Sequence, residues 1–106
     1  MRYQFAWALF LALALPVRAD DLTIALSVKT EGFEPARIAA PAGARIRLEV
    51  SNETVTPIEF ESFELNRERV VQPGQRATIY LSGLSAGKYE FFDDFNQGRR
   101  GVLTVE

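Results

Sequence analysis

Fourteen carboxylate side chains, with no histidine and no cysteine, define the chemistry open to this 106-residue chain. The acids concentrate in two stretches. One is Ile58-Glu-Phe-Glu-Ser-Phe-Glu64 with Glu68 beyond it, and the other is Asp93-Asp94. In an extended strand Glu59 and Glu61 point to one face and Phe60 to the other. Carboxylate oxygens are hard donors that suit calcium, magnesium, manganese and iron, whereas copper(I) wants sulfur or imidazole. Acids crowded together without a cation raise one another's pKa, a cost that a metal or an arginine removes. Charges at strand ends and edges also keep sheets soluble. The residues by themselves leave three states open: a cation site, solvated charge, or acids neutralised by Arg99 and Arg100.

Other chemistries find little support. Acyl transfer by a hydroxyl nucleophile lacks its usual histidine base. Paired carboxylates can cleave glycosides, but a small sandwich offers little cleft for a sugar. Setting aside Arg2 and Arg18, ten basic residues face fourteen acidic ones. Such a mildly acidic domain is a poor partner for nucleic acid, which calls for a clustered basic surface.

The start of the chain reads as a secretory signal peptide over residues 1–19. Arg2 opens it, residues 5–15 form a short apolar run, and Pro16-Val17-Arg18-Ala19 supplies a cleavage point. The run is short for a span, which takes ~20 apolar residues. A mature domain of residues 20–106 is expected, one small unit not embedded in a membrane. Without cysteine it has no disulfide, so its stability must come from an apolar core.

Alternation of period two runs through that domain. Residues 22–28, 44–50 and 76–81 read as strands, and Pro41-Ala-Gly43 and Pro73-Gly74 as turns. Residues 55–63 read as an extended segment interrupted by Pro57, hence an edge or irregular strand. Residues 64–71 admit a helical turn or a strand, with Val70-Val71 favouring the strand. Residues 89–92 and 101–105 complete a hairpin. Seven to eight short strands at this spacing predict an all-β sandwich. Phe60 and Phe91 are expected in the core. Phe63 and Phe95, flanked by charge, are candidates for a docking patch with Arg99 and Arg100.

Two motifs resemble the cupredoxins. The segment Gly32-Phe33-x-Pro35-x-x-Ile38-x-x-Pro41-x-Gly43 is similar to their opening strands. The closing Tyr89-Glu-Phe-Phe-Asp-Asp-Phe-Asn96 resembles their last hairpin, in which Tyr-x-Phe-x-Cys-x-x-His carries copper ligands. Asp93 stands at the Cys position and Asn96 at the His position, and Asn52 resembles the Asn ahead of the first ligand. The resemblance implies a cupredoxin-like Greek-key β-sandwich that has lost its type 1 copper donors. It also implies that Glu59 and Asp93 meet at one end of the sandwich, with Glu61, Asp94, Glu64 and Glu68 assisting.

The run from Pro57 to Glu68 together with Tyr89 to Phe95 is similar to periplasmic cupredoxin-like proteins that accompany FTR-type iron permeases, and to the EfeO-type cupredoxin domain. That resemblance implies a periplasmic protein binding ferrous or ferric iron, with copper(II) or manganese(II) as alternatives. Its implied partners are the permease and a second periplasmic metal-binding protein. A ferroxidase step would pass electrons to dioxygen or to a partner. A metal-free docking module is the alternative reading of the same residues.

Overall fold

The computed structural model describes residues 21–106 as nine strands in two sheets, with no helix among the described residues. The expected signal peptide lies outside the described residues. The strands are β1 (Asp21–Lys29), β2 (Gly32–Glu34), β3 (Arg37–Ala40), β4 (Arg45–Asn52), β5 (Ile58–Ser62), β6 (Arg67–Val71), β7 (Arg76–Ser82), β8 (Gly87–Asp93) and β9 (Asn96–Val105). One sheet has the order β2-β1-β4-β7 and the other β3-β9-β8-β5-β6. β1 pairs parallel to β4, and β3 pairs parallel to β9. The remaining ladders are antiparallel.

The alternation seen in the sequence is what fills the space between the sheets. Leu26 and Val28 of β1, Ile46, Leu48 and Val50 of β4, and Ala77, Ile79 and Leu81 of β7 point inward from one sheet. Ile38, Ile58, Phe60, Phe91, Leu103 and Val105 meet them from the other. Each large side chain removed from water stabilises the fold by about 1.5–3 kcal/mol. Phe33, Phe60 and Phe91 form the aromatic centre. Phe33 meets Phe91 edge-on at 4.9 Å, and Phe60 stacks on Phe91 at 5.3 Å. Gly101 permits this packing, because a Cβ there would lie 2.4 Å from the Phe91 ring and 2.8 Å from the Ala36 carbonyl oxygen.

Two local expectations change. The opening segment divides into β2 and β3 around a cis Glu34-Pro35 bond. Pro57 does not interrupt a strand; β5 starts just after it and lies inside its sheet, between β8 and β6. Pro57 lacks a donor, so the ladder starts at the next residue. β6 takes the edge, and residues 67–71 are strand rather than helical turn.

Buried Asn52 ties the loop ahead of β5 to the core. Its Nδ2 donates to the carbonyls of Thr56 (2.8 Å) and Val71 (2.9 Å), and its Oδ1 accepts from the Thr54 amide and hydroxyl. A buried amide with all these bonds made is a strong local constraint. It delivers the chain to Ile58 in one register, and that register decides which way Glu59 points.

Candidate metal centre

β5 reads buried, half-buried, buried, half-buried, buried, so Ile58, Phe60 and Ser62 face the core and Glu59 and Glu61 the outside. On the neighbouring strand Glu68 lies directly opposite Glu61. Directly opposed side chains on one face have Cβ atoms about 4.5–5.5 Å apart, and like charges there are destabilising. Asp94 joins from just beyond β8, where its amide donates to the Glu59 carbonyl at 2.8 Å. One carboxylate oxygen each from Glu59, Glu61 and Asp94 lies within 4.8 Å of the others. No lysine or arginine forms an ion pair with Glu59, Glu61, Glu68 or Asp94 among the described residues. Gln97 Nε2 donates to Asp94 Oδ1 at 2.8 Å and fixes that carboxylate.

The electrostatics record this crowding. A hydrogen bond shared with Glu68 pushes the Glu59 carboxyl up to about 7; partial burial and the charges of Glu68, Glu61 and Asp94 add to it. Loss of water raises the Glu61 carboxyl, and the charges of Glu68 and Asp94 raise it further. These are acids held together at the expense of their ionised forms. Three carboxylate oxygens this close together, with no ion-paired base among the described residues, are the kind of donors a hard cation takes.

Asp93 does not join them, which corrects the expectation that it would meet Glu59 as a ligand. It pairs opposite Phe60, on the inward face, and is fully buried. Its Oδ1 accepts from the amides of Glu59 (2.9 Å) and Phe95 (3.0 Å). Its Oδ2 pairs with Arg99 Nη1 at 3.0 Å. Arg99 is itself buried and donates from Nε to the Thr30 carbonyl at 3.3 Å. Arg99 is therefore withdrawn from the expected docking patch. The physical cause is the pleat: neighbouring residues take opposite faces, so Asp93 turns in and Asp94, past the strand end, turns out.

Glu64 also stands apart, its carboxylate accepting the Glu90 amide. Phe63 and Phe95 are 76% and 57% exposed. Phe63 rests edge-on against Phe92 at 5.5 Å, and the Arg100 guanidinium lies 4.9 Å over the same ring. Phe92 faces outward beneath them, a role that sequence reasoning missed although the period of two after inward Phe91 signals it. Gln97 carried no comparable signal, because its contact depends on the hairpin bend.

A type 1 copper centre does not fit this chain. The sequence holds no cysteine or histidine and one methionine, Met1. Asp93, which the hairpin resemblance sets at the Cys position, is already held by Arg99 and two amides.

Comparison with known proteins shows where this fold recurs. An uncharacterized protein of Rickettsia prowazekii is 40% identical over 84 residues, spanning 77% of this chain and 67% of that one. The metal-binding domain of the Cu(I)-exporting P-type ATPase CopA of Streptococcus pneumoniae, solved with Cu(I), superposes with a TM-score of 0.72 at 16% identity, covering 86% of this chain and 91% of that one. A purple cupredoxin from Nitrosopumilus maritimus gives 0.62 at 16% identity, covering 78% and 99%. The blue copper oxidase of Nitrosomonas europaea gives 0.66 at 16% identity over 81% of this chain and 39% of that one. The cupredoxin-like domain family matches residues 3–105, and the chain belongs to it.

Proposed function

We propose that this cupredoxin-like domain binds iron in the periplasm through Glu59, Glu61 and Asp94, with Glu68 alongside, and hands it to an FTR-type permease. The supporting observation is the convergence of three carboxylate oxygens within 4.8 Å, with no basic side chain ion-paired to them among the described residues. A divalent or trivalent cation would remove the repulsion that holds Glu59 and Glu61 above the ordinary carboxylate range. Manganese(II) and copper(II) are the competing cations for an oxygen donor set.

Anionic oxygens favour iron(III) over iron(II), because the smaller and more highly charged ion gains more from them. Binding at this site therefore favours oxidation. Each iron(II) releases one electron, and four irons with four protons reduce one dioxygen to two waters. A redox partner taking one electron per iron is the other acceptor. Phe63, Phe95 and Arg100 border the acidic face and are the surface on which a receiving protein would rest. The exposure of the two phenylalanines also favours a second reading, in which the face docks a transport or redox partner without carrying metal.

Anaerobic titration with iron(II), then with manganese(II) and copper(II), separates the two. The wild-type chain should bind iron(II) with one site, and Glu59→Gln combined with Asp94→Asn should abolish it. Equal binding by the variant removes the metal reading. Oxygen uptake on adding iron(II) tests the oxidation step independently.

A further inference from the structure

The open seam of the sandwich lies between β6 and β7, each the outer strand of its own sheet. Two arginines bridge it. Arg67 donates from Nη2 to the Tyr80 carbonyl at 3.1 Å and from Nη1 to the Leu65 (3.2 Å) and Asn66 (3.1 Å) carbonyls. Arg69 donates to the Thr78 carbonyl at 3.2 Å. Neither guanidinium has a carboxylate partner among the described residues. A guanidinium has five N–H donors, so both remain fixed in place with donors to spare. Nearby, Arg47 and Arg76 share one acid, Glu49, at 3.5 and 3.7 Å. Arg45 is held by Asp21 at 2.8 Å. Five arginines thus face Asp21 and Glu49 here, with Glu68 as a third acid at the end of the seam, and the positive charge is in excess.

The surface here is concave. A groove of about 750 Å³ has Asp21, Arg45, Arg47 and Arg67 on its rim, and half-buried Leu22 and the exposed Tyr80 ring supply its apolar floor. It continues along the seam past Arg69 and Thr78, where Glu68 borders it. Tyr80 is 63% exposed and lies 5.9 Å beneath the Arg47 guanidinium. Arginine and tyrosine are the residue types that most often dominate binding energy at protein interfaces.

We propose that this groove docks an extended acidic segment of a partner protein, with an apolar side chain set between its carboxylates. The rim supplies fixed positive charge for the acids, and the floor supplies apolar contact for the side chain between them. A flat anionic membrane would meet the rim but not the floor, and a free phosphate has nothing to place on the floor. The chain's own first twenty residues join β1 at Asp21, beside the groove, but carry Arg2 and Arg18 against the single acid Asp20. Their charge is wrong for this surface. The inference does not rest on the metal reading, because Glu59, Glu61 and Asp94 take no part in the groove and Glu68 only borders its far end.

The test uses the full chain as recovered from an expressing bacterium and a fluorescein-labelled peptide of repeating Glu, Leu and Asp, followed by anisotropy. Arg47→Glu with Tyr80→Ala should weaken binding by about tenfold or more. Lys88→Glu, the same charge reversal on β8, should leave it within about twofold. Circular dichroism shows that each variant is folded, and these surface changes leave the core intact. Three results overturn the proposal: equal binding of the matching peptide built on lysine, unchanged binding by the double variant, or displacement of the peptide by inorganic phosphate or phosphatidylglycerol vesicles at matched charge.

Discussion

Asp93 and Asp94 are neighbours in the chain and opposites in environment. Asp93 is fully buried, holds two backbone amides and neutralises a buried arginine. Asp94 lies outside among Glu59 and Glu61, where one glutamine amide is its hydrogen-bond donor. One carboxylate is therefore part of the architecture and its neighbour stands at the surface. This chain places an ion pair inside the sandwich and gathers carboxylates on the adjoining outer face. The inner pair also supports the outer cluster, since the amide that Asp93 holds belongs to Glu59.

The contrast can be broken from the inside first. Arg99→Met leaves Asp93 buried without its cation, and breaking such a pair costs about 3–5 kcal/mol, read as a fall in the urea midpoint. Changing Asp93→Ala together with Arg99→Met should recover most of that loss, because no isolated charge remains in the interior. If Arg99→Met alone leaves stability unchanged, the pair is not structural.

On the outer side, a cation should act as a ligand of the folded state. Iron(II) or manganese(II) at a hundred times its dissociation constant should raise stability by about 2.7 kcal/mol, measured as a shift in thermal midpoint. Glu59→Gln with Glu61→Gln should erase that shift. Gly101→Ala probes the packing beneath both regions. It should destabilise by about 1–3 kcal/mol through collision with Phe91, without changing metal selectivity.

The pH dependence sharpens the comparison further. The Glu59 carboxyl lies near 7 in the fold against an ordinary 4.5. The folded state thus binds the proton more tightly than the unfolded state does. Its contribution is fully present below about 4.5 and is lost as pH rises through about 7. Metal-free protein should lose stability across that window, and Glu59→Gln should flatten the profile. A rise in stability over the same window would contradict the crowding. The smallest effect belongs to Phe63→Ala. An exposed ring should change stability by no more than about 0.5 kcal/mol, while weakening any partner bound on the acidic face.

Much of the sandwich was legible because burial has a period. Ile46, Leu48 and Val50 alternate with charged or polar residues, and a sheet with one wet face permits little else. Period also separated Glu59 and Glu61 from Phe60. It did not place residues where the ladder shifts. The register irregularity between Phe92 and Asp93 and the bend before Asn96 lie in the hairpin that carries the acids. There a one-residue difference exchanges core for solvent. Pro57 misled for a related reason, since a missing donor marks a strand's start as readily as its edge.

Motif resemblance pointed to the cupredoxin kind; composition and period by themselves confined this protein to a small all-β domain with oxygen as its only abundant donor. Those properties are compositional or periodic, and no distant contact is needed to establish them. The tertiary structure alone decided which acids meet. Ion pairing and strand register depend on residues far apart in the chain: Arg99 takes Asp93 inward while Glu59, Glu61 and Asp94 converge outside.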